Sequence, residues 1–340
     1  MPSTIFLTGS TGFIAQHIVT DLVAKGYPVI GTVRSTEKGD RLKKNAGELF
    51  SYEVVPDIQV EGAFDEALKK HPEIDIVLHT ASPFHFKSVD HERDLLFPAV
   101  NGTKTVLAAI KAHAPPVKHV VLTSLYASIG TANLEVDPKQ INTEQTWNQI
   151  TWEEAKSDPV SAYRGLKTFA EKAAWEFLEK EKPNFTLTAI NPVFVFGPQA
   201  FNSEVSDTLN TSAEVINSLL KLKVDDTIPT LKGGFCDVRD VSKAHIAGFE
   251  NNETYGKRLL IHDSRFTPQH LLDILHKNFP ELDGKIPKGV PGDKEKYDVE
   301  SKFAKIDNSW TKKTLGWEFV HLEKSTVDTV QQVKDVKGKL

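Results

Sequence analysis

The apolar residues of this chain fall into two alternating patterns. Short β-branched or aromatic runs recur at Thr4 to Leu7, Tyr27 to Val33, Ser51 to Pro56, Ile74 to His79, Val117 to Leu122 and Phe185 to Ile190. Runs of that length, bounded by glycine, proline or polar residues, read as buried strands. Between them lie stretches with helical spacing: one from Thr11 or Gly12 onward, then Thr36 to Phe50, Val60 to His71, His91 to His113 and Val160 to Lys182. Strand and helix in alternation predict an α/β protein on a Rossmann-type, doubly wound parallel sheet. A polar loop from Gly130 to Pro159 breaks the rhythm, with Trp147 and Trp152 placed to pin it down.

After Asn191 the alternation stops. Two prolines and a glycine end the regular pattern at Asn191 to Pro198. Helices near Ser206 to Lys221, Pro268 to Lys277 and Leu322 to Val333, with a short strand near Arg258 to His262, predict a smaller C-terminal substrate lobe. The expected division is a nucleotide-binding domain over 1–191 and a substrate lobe over 192–340, with a segment at about 235–250 crossing back.

Composition narrows the partners. A chain of 340 residues suits two lobes, and a formal net charge of −5 makes no field that would draw nucleic acid or an anionic membrane. Small neutral molecules fit better. One cysteine, Cys236, excludes an internal disulfide framework, and no Cys/His group has zinc spacing, so no metal is expected. The first strand begins at once without a basic leader, and no apolar run is long enough to span a bilayer. The expectation is a cytoplasmic monomer or homodimer.

The chemistry begins at Thr8-Gly9-Ser10-Thr11-Gly12-Phe13-Ile14-Ala15. Gly9 permits the sharp turn after the strand, Gly12 brings the backbone within reach of a phosphate, and Ala15 lets the helix pack closely. The free N–H groups at Thr11 and Gly12 and the positive end of the helix dipole would face a diphosphate. The same spacing also occurs in packing turns without a ligand, but here a strand precedes it and a βαβ unit follows. The second strand runs out into Val33-Arg34-Ser35 with Lys38 one turn on, where an NAD site usually carries Asp or Glu. Arg34 and Lys38 can pair with a 2′-phosphate, which favours NADP(H); the plain alternative is a solvated basic helix start. Asp57 can accept from an adenine amine while Ile58 covers the ring, and Asp57 as a helix N-cap is the competing role. Thr80, Ala81 and Ser82 are small residues at a strand's carboxyl end, where open α/β sheets leave space for a ligand.

One pair on the long helix stands out. Tyr163 and Lys167 lie at i and i+4 and so share a face. A tyrosine titrates near pH 10, and a neighbouring ammonium lowers that value, so the pair can exchange a proton with a substrate. Such a pair is often only a solvated helix face. Here it follows a dinucleotide turn and a strand ending in Thr123-Ser124, in that order.

With these motifs in place the chain resembles the extended short-chain dehydrogenases/reductases, and within them the yeast methylglyoxal/isovaleraldehyde reductases and related carbonyl reductases, kin to the dihydroflavonol reductases. The likeness spans nearly the whole chain. It rests on the glycine turn, Thr32-Val33-Arg34-Ser35, Leu78-His79-Thr80-Ala81-Ser82-Pro83, Pro98-Ala99-Val100-Asn101-Gly102-Thr103, Lys172-Ala173-Ala174-Trp175-Glu176-Phe177, Asn191-Pro192 with Val195-Phe196-Gly197-Pro198, and Asp237-Val238-Arg239-Asp240-Val241. What it implies is reduction of a ketone or aldehyde by NADPH, with Tyr163 as proton donor and Lys167 holding the nicotinamide ribose. It further implies that Gly9, Gly12, Phe13, Ile14, Arg34, Lys38, Asp57 and Ile58 line the adenosine and diphosphate half. Ala81, Pro192, Val195 and Ser212 would line the other half. Phe84, Phe86, Tyr126, Val160 and Phe194 would form an apolar substrate pocket; ordinary core packing is the other reading of those five.

The chain departs from the family pattern at two positions. Where relatives have a catalytic serine after Thr-Ser, this chain has Leu125, which cannot donate and whose branched side chain would fill the pocket. Ser124 is the hydroxyl candidate beside it, on the opposite face of the strand, and Ser128 lies farther along. Leu166 replaces the usual serine before the lysine. Three classes therefore stand: a reductase in which another group does the serine's work or whose pocket is remodelled, an NADP(H)-binding protein with little turnover, and a nucleotide-sugar epimerase or dehydratase. The basic end of the second strand speaks against the last.

Overall fold

The computed structural model of the chain describes residues 2–82, 90–293, 299 and 301–338. The described residues form two compact units, the first comprising 1–132, 142–191 and 242–260, the second 133–141, 192–241 and 261–340.

The first unit is a layered α/β structure. Its strands are β1 (Thr4–Thr8), β2 (Val29–Val33), β3 (Phe50–Val54), β4 (Ile74–His79), β5 (His119–Thr123), β7 (Thr186–Pro192) and β10 (Arg258–Ile261), with the short β6 (Ile141–Asn142) outside the sheet. They line up as β10-β7-β5-β4-β1-β2-β3. The pairs β1/β2, β1/β4, β2/β3, β4/β5 and β5/β7 are parallel, with Leu7 opposite Gly31 on one side and Leu78 on the other. Apart from the edge strand β3, the strands are largely buried on both faces, which is why they read as continuous apolar runs. Chain direction across the sheet reverses between β1 and β4, so their carboxyl ends flank the switch point where such sheets bind ligands.

Helices cover the sheet: α1 (Phe13–Ala24), α2 (Thr36–Ala46), α3 (Asp65–Lys70), α4 (Phe97–His113), α5 (Trp152–Ala155) and α6 (Pro159–Glu181). Phe6, Ile74, Val77, Val106, Ile110, Val120 and Leu187 share one apolar core. Leu95, Leu96, Ala99, Ala155, Ala162 and Leu166 form a second, between α4, α5 and α6. Leu166 is thus a packing residue, fully buried. Gly165 lets α5 and α6 touch: a Cβ there would lie 2.3 Å from the Ala155 Cβ. Before α4 the chain makes one wide π-type stretch, Glu92–Leu96, so the expected single helix from His91 has an irregular first turn. The expected helix from Val60 is confined to α3, because Gly62 adopts φ 76° and turns the chain first.

The second unit holds a three-stranded sheet in the order β11-β9-β8, from β8 (Phe194–Phe196), β9 (Gly233–Asp237) and β11 (Ser264–Phe266). β8 runs parallel to β9, and β11 antiparallel to it. Phe196, Phe235, Phe266, Leu271, Leu275 and Val330 form its core with α7 (Glu214–Leu219), α9 (Pro268–Asn278) and the final helix, Leu322–Lys337. The helix expected over Ser206 to Lys221 is only α7. Glu214 caps what precedes it, its carboxylate accepting from Leu209 N at 2.7 Å and from Asn217 Nδ2 at 2.7 Å.

Candidate active site

β1 ends in a turn built for close approach. Gly9 sits at φ 68°, and a Cβ there would lie 2.9 Å from the Ala81 Cα, so only glycine fits between the ends of β1 and β4. Gly12 N donates to Gly9 O at 3.0 Å. α1 begins at Phe13 with Gly12 as its N-cap, without a capping side chain and without an acidic residue in its first turn. Its leading N–H groups and its dipole are therefore open to an anion. Thr11 accepts from Gln16 Nε2 through its carbonyl at 3.0 Å, Phe13 packs edge-on to His17, and Ile14 is half-buried.

At the end of β2, Arg34 and Lys38 are exposed, and neither has a hydrogen-bond or ion-pair partner among the described residues. Asp57 does not cap a helix, since α3 starts eight residues later; its Oδ1 accepts from Gln59 N at 2.9 Å in a tight turn. That turn sets Ile58 3.8 Å from the position of a Cβ on Gly102, an ordinary packing distance that does not itself require glycine inside α4.

The end of β4 is tied to β1 through one threonine. Thr8 Oγ1 accepts from Ala81 N at 3.2 Å and lies 2.8 Å from His79 Nδ1, while Thr80 Oγ1 donates to Thr8 O at 2.6 Å. Burial lowers the His79 pKa to about 4, which keeps the ring neutral.

Tyr163 and Lys167 stand on α6 as expected, and Lys167 Nζ donates to Ser82 Oγ at 3.0 Å. This bond joins the tyrosine-lysine helix to the loop after β4. Lys167, Ser82, Ala81, Ile58, His79 and Glu171 line one recess. Burial lowers the Lys167 pKa to about 8 and raises that of Tyr163 to about 12. For Tyr163 the direction is opposite to the expected lowering, because burial desolvates a phenolate. Tyr163 is a firm proton holder at neutral pH.

Ser124 is buried and its hydroxyl donates to Glu171 Oε2 at 2.5 Å. A carboxylate outcompetes a carbonyl for that proton. Leu125 is half-buried in extended backbone just before the short turn Tyr126–Ser128. The Tyr126 hydroxyl accepts from Asn142 Nδ2 at 2.7 Å, and Val160 is 64 % exposed at the start of α6. Phe84 and Phe86 lie outside the described residues. Pro192, Phe194, Val195 and Ser212 belong to the second unit: Pro192 and Val195 are buried, Phe194 meets Phe266 edge-on, and Ser212 is half-buried just before α7. Sequence reasoning missed Glu171 and Arg258, an ion pair at 2.7 Å beside the site. Glu171 had a signal, since it continues the spacing of Tyr163 and Lys167 by four.

Among the described residues no group of three His, Cys, Asp or Glu could hold a metal ion, and no helix is long and apolar enough to cross a membrane. Comparison with known proteins matches residues 5–261 to the profile described as the NAD dependent epimerase/dehydratase family. The chain belongs to this family. Within it, the chain is 52 % identical to a Candida albicans protein named a putative NADPH-dependent methylglyoxal reductase, covering 97 % of this chain and 98 % of that one. It is 49 % identical to the NADPH-dependent methylglyoxal reductase of Saccharomyces cerevisiae, over 99 % and 100 %. The crystal structure of Gre2 from Candida albicans in complex with NADPH superposes with a TM-score of 0.95 at 51 % identity, covering 98 % and 99 %. A family member with a glycine cradle, an uncapped helix and two unpaired cations at the end of β2 fits a 2′-phosphorylated dinucleotide.

Proposed function

We infer that this chain is an NADPH-dependent carbonyl reductase that converts ketones or aldehydes to alcohols. The observation that carries the reading is the Lys167–Ser82 hydrogen bond, which brings the tyrosine-lysine face of α6 to the carboxyl edge of β4. The relatives named NADPH-dependent methylglyoxal reductases support it. Gly9, Thr11, Gly12, Phe13 and Ile14 hold the diphosphate, Arg34 and Lys38 the 2′-phosphate, and Asp57 and Ile58 the adenine. Thr80, Ala81 and Ser82 border the sugars, with Pro192, Val195 and Ser212 toward the nicotinamide. NADPH bound there supplies a hydride for the carbonyl carbon. Tyr163, protonated at neutral pH, donates its proton to the carbonyl oxygen. Lys167 binds ribose hydroxyls and, as an ammonium, stabilises the phenolate that results. Leu125, Tyr126 and Val160 border the substrate. A cytoplasmic location, a monomeric or homodimeric state, and the 1–191 and 192–340 division of labour belong to the same proposal.

Leu125 favours a second reading, an NADP(H)-binding protein with little turnover. Leucine gives the substrate oxygen no hydrogen bond, and the Ser124 proton is held by Glu171. Following NADPH consumption with carbonyls from methylglyoxal to bulky aryl ketones separates the two. The expected result is turnover that Tyr163→Phe lowers by about 10²- to 10⁴-fold at unchanged NADPH affinity. Tight NADPH binding with no turnover on any carbonyl selects the binder, and no NADPH binding sinks both.

A further inference from the structure

Behind the Tyr163–Lys167 face lies a buried charged cluster that the reductase chemistry does not use. Glu171 follows Lys167 by one turn and Tyr163 by two, on the same side of α6. It is 1 % exposed, and its carboxylate is saturated with donors. Oε1 accepts from Arg258 Nε at 2.7 Å and Trp175 Nε1 at 3.2 Å. Oε2 accepts from Ser124 Oγ at 2.5 Å, Asn191 Nδ2 at 2.8 Å, Arg258 Nη2 at 3.3 Å and Ser128 Oγ. The Arg258 guanidinium lies 3.9 Å from the centre of the Trp147 ring, and its Nη1 donates to Thr146 O at 2.5 Å and Glu144 O at 3.2 Å.

One carboxylate on α6 thus ties together the ends of β5 and β7, the turn Tyr126–Ser128 and β10. The same partners grip the backbone at position 125. Leu125 O accepts from Ser128 N at 3.0 Å and Asn191 Nδ2 at 3.3 Å, while the one Ser128 hydroxyl proton goes to the Glu171 carboxylate. Arg164 Nη1, one residue after Tyr163, fastens the far end of this segment through Gly130 O at 2.9 Å. None of these bonds uses the side chain at 125.

We propose that Glu171 and Arg258 are positioning residues: they set the backbone of position 125 against Tyr163 and Lys167, so that whatever side chain stands there is presented to the substrate oxygen. This rests on the reductase reading. A neutral amide at 171 would turn an N–H₂ toward donors on at least one side, loosening the grip on Ser128 and Asn191 while leaving α6 and the glycine turn intact.

The test measures how much activity Leu125→Ser restores, with and without the cluster. In the wild-type background a serine hydroxyl is expected to raise kcat by about 10²-fold or more. With Glu171→Gln added, the gain is expected to fall below about tenfold, the loss appearing in kcat rather than in KM for NADPH, and Glu171→Asp is expected to recover part of it. Ser128→Ala, which removes one donor to Glu171 without unpairing a charge, serves should Glu171→Gln fail to fold, and is expected to cut the gain in the same direction. A full gain in the folded cluster variants overturns the positioning role. No gain from Leu125→Ser in a chain that binds NADPH overturns it too, since position 125 then does not face the oxygen. Failure of the wild-type chain to bind NADPH would instead strike the reductase reading itself.

Discussion

Two arginines in the first unit carry the same charge under opposite conditions. Arg258 is 7 % exposed, flat on Trp147, and its N–H groups all meet carboxylate, carbonyl or hydroxyl oxygens. Arg34 is exposed at the end of β2 with no partner among the described residues. A buried guanidinium must be saturated by the protein, because desolvating it otherwise costs several kcal/mol. One held in water needs no internal partner and can keep its fork for a ligand. On the function proposed above, the difference separates charge that holds the site together from charge kept for the cofactor.

Removing each arginine should therefore fail in a different assay. Arg258→Ala strands the Glu171 carboxylate among its remaining donors, and urea unfolding should show a loss of about 3–5 kcal/mol. Arg34→Ala should leave that unfolding curve within about 0.5 kcal/mol and instead weaken NADPH binding by about 10- to 100-fold, with NADH binding unchanged. Equal losses for NADPH and NADH would show that Arg34 does not read the 2′-phosphate. Lys38→Ala should act in the same direction but more weakly, by a few-fold, and fade with added salt, as suits a point charge at the surface.

Lys167 falls between the two, half-buried with Ser82 as its hydrogen-bond partner. Its folded pKa of about 8 lies below the unfolded lysine value near 10.4. Between those values the unfolded chain binds more protons, so this group makes stability rise as pH rises from about 8 to 10, and leaves its full penalty in place below 8. Tyr163 acts oppositely at higher pH: its folded pKa of about 12 exceeds the unfolded value near 10, so its contribution falls away from pH 10 to 12. Subtracting the unfolding profile of Lys167→Met from that of the wild type should isolate the first slope. A difference that is flat from 8 to 10 would mean the ammonium is solvated like any surface lysine.

Sequence carried the sheet and the glycine turn well. Thr4 to Ala15 holds strand, turn and helix within a dozen consecutive residues, and the basic end of β2 needs no tertiary information. The Tyr163–Lys167 pair was legible for the same reason, being set by helix periodicity alone. The Glu171–Arg258 pair spans 87 residues and depends on β10 lying beside β7, which no local pattern encodes. The packing of Leu166 was not legible, because its neighbours across α4 and α5 are distant in the linear chain. The helix expected from Ser206 shrank to α7 because Glu214 and Asn217 bond backward to the segment at 207–209, locking it as a loop. The acid-base balance was misjudged on the same ground. Spacing reports that a lysine is near a tyrosine but not how dry both are.

The bonds around Leu125 O have one more consequence. On the positioning role proposed above, a residue secured by its backbone can have its side chain exchanged with little effect on folding. Position 125 would then act as a dial on turnover, open to selection in either direction without the loss of stability that usually accompanies change inside an active site.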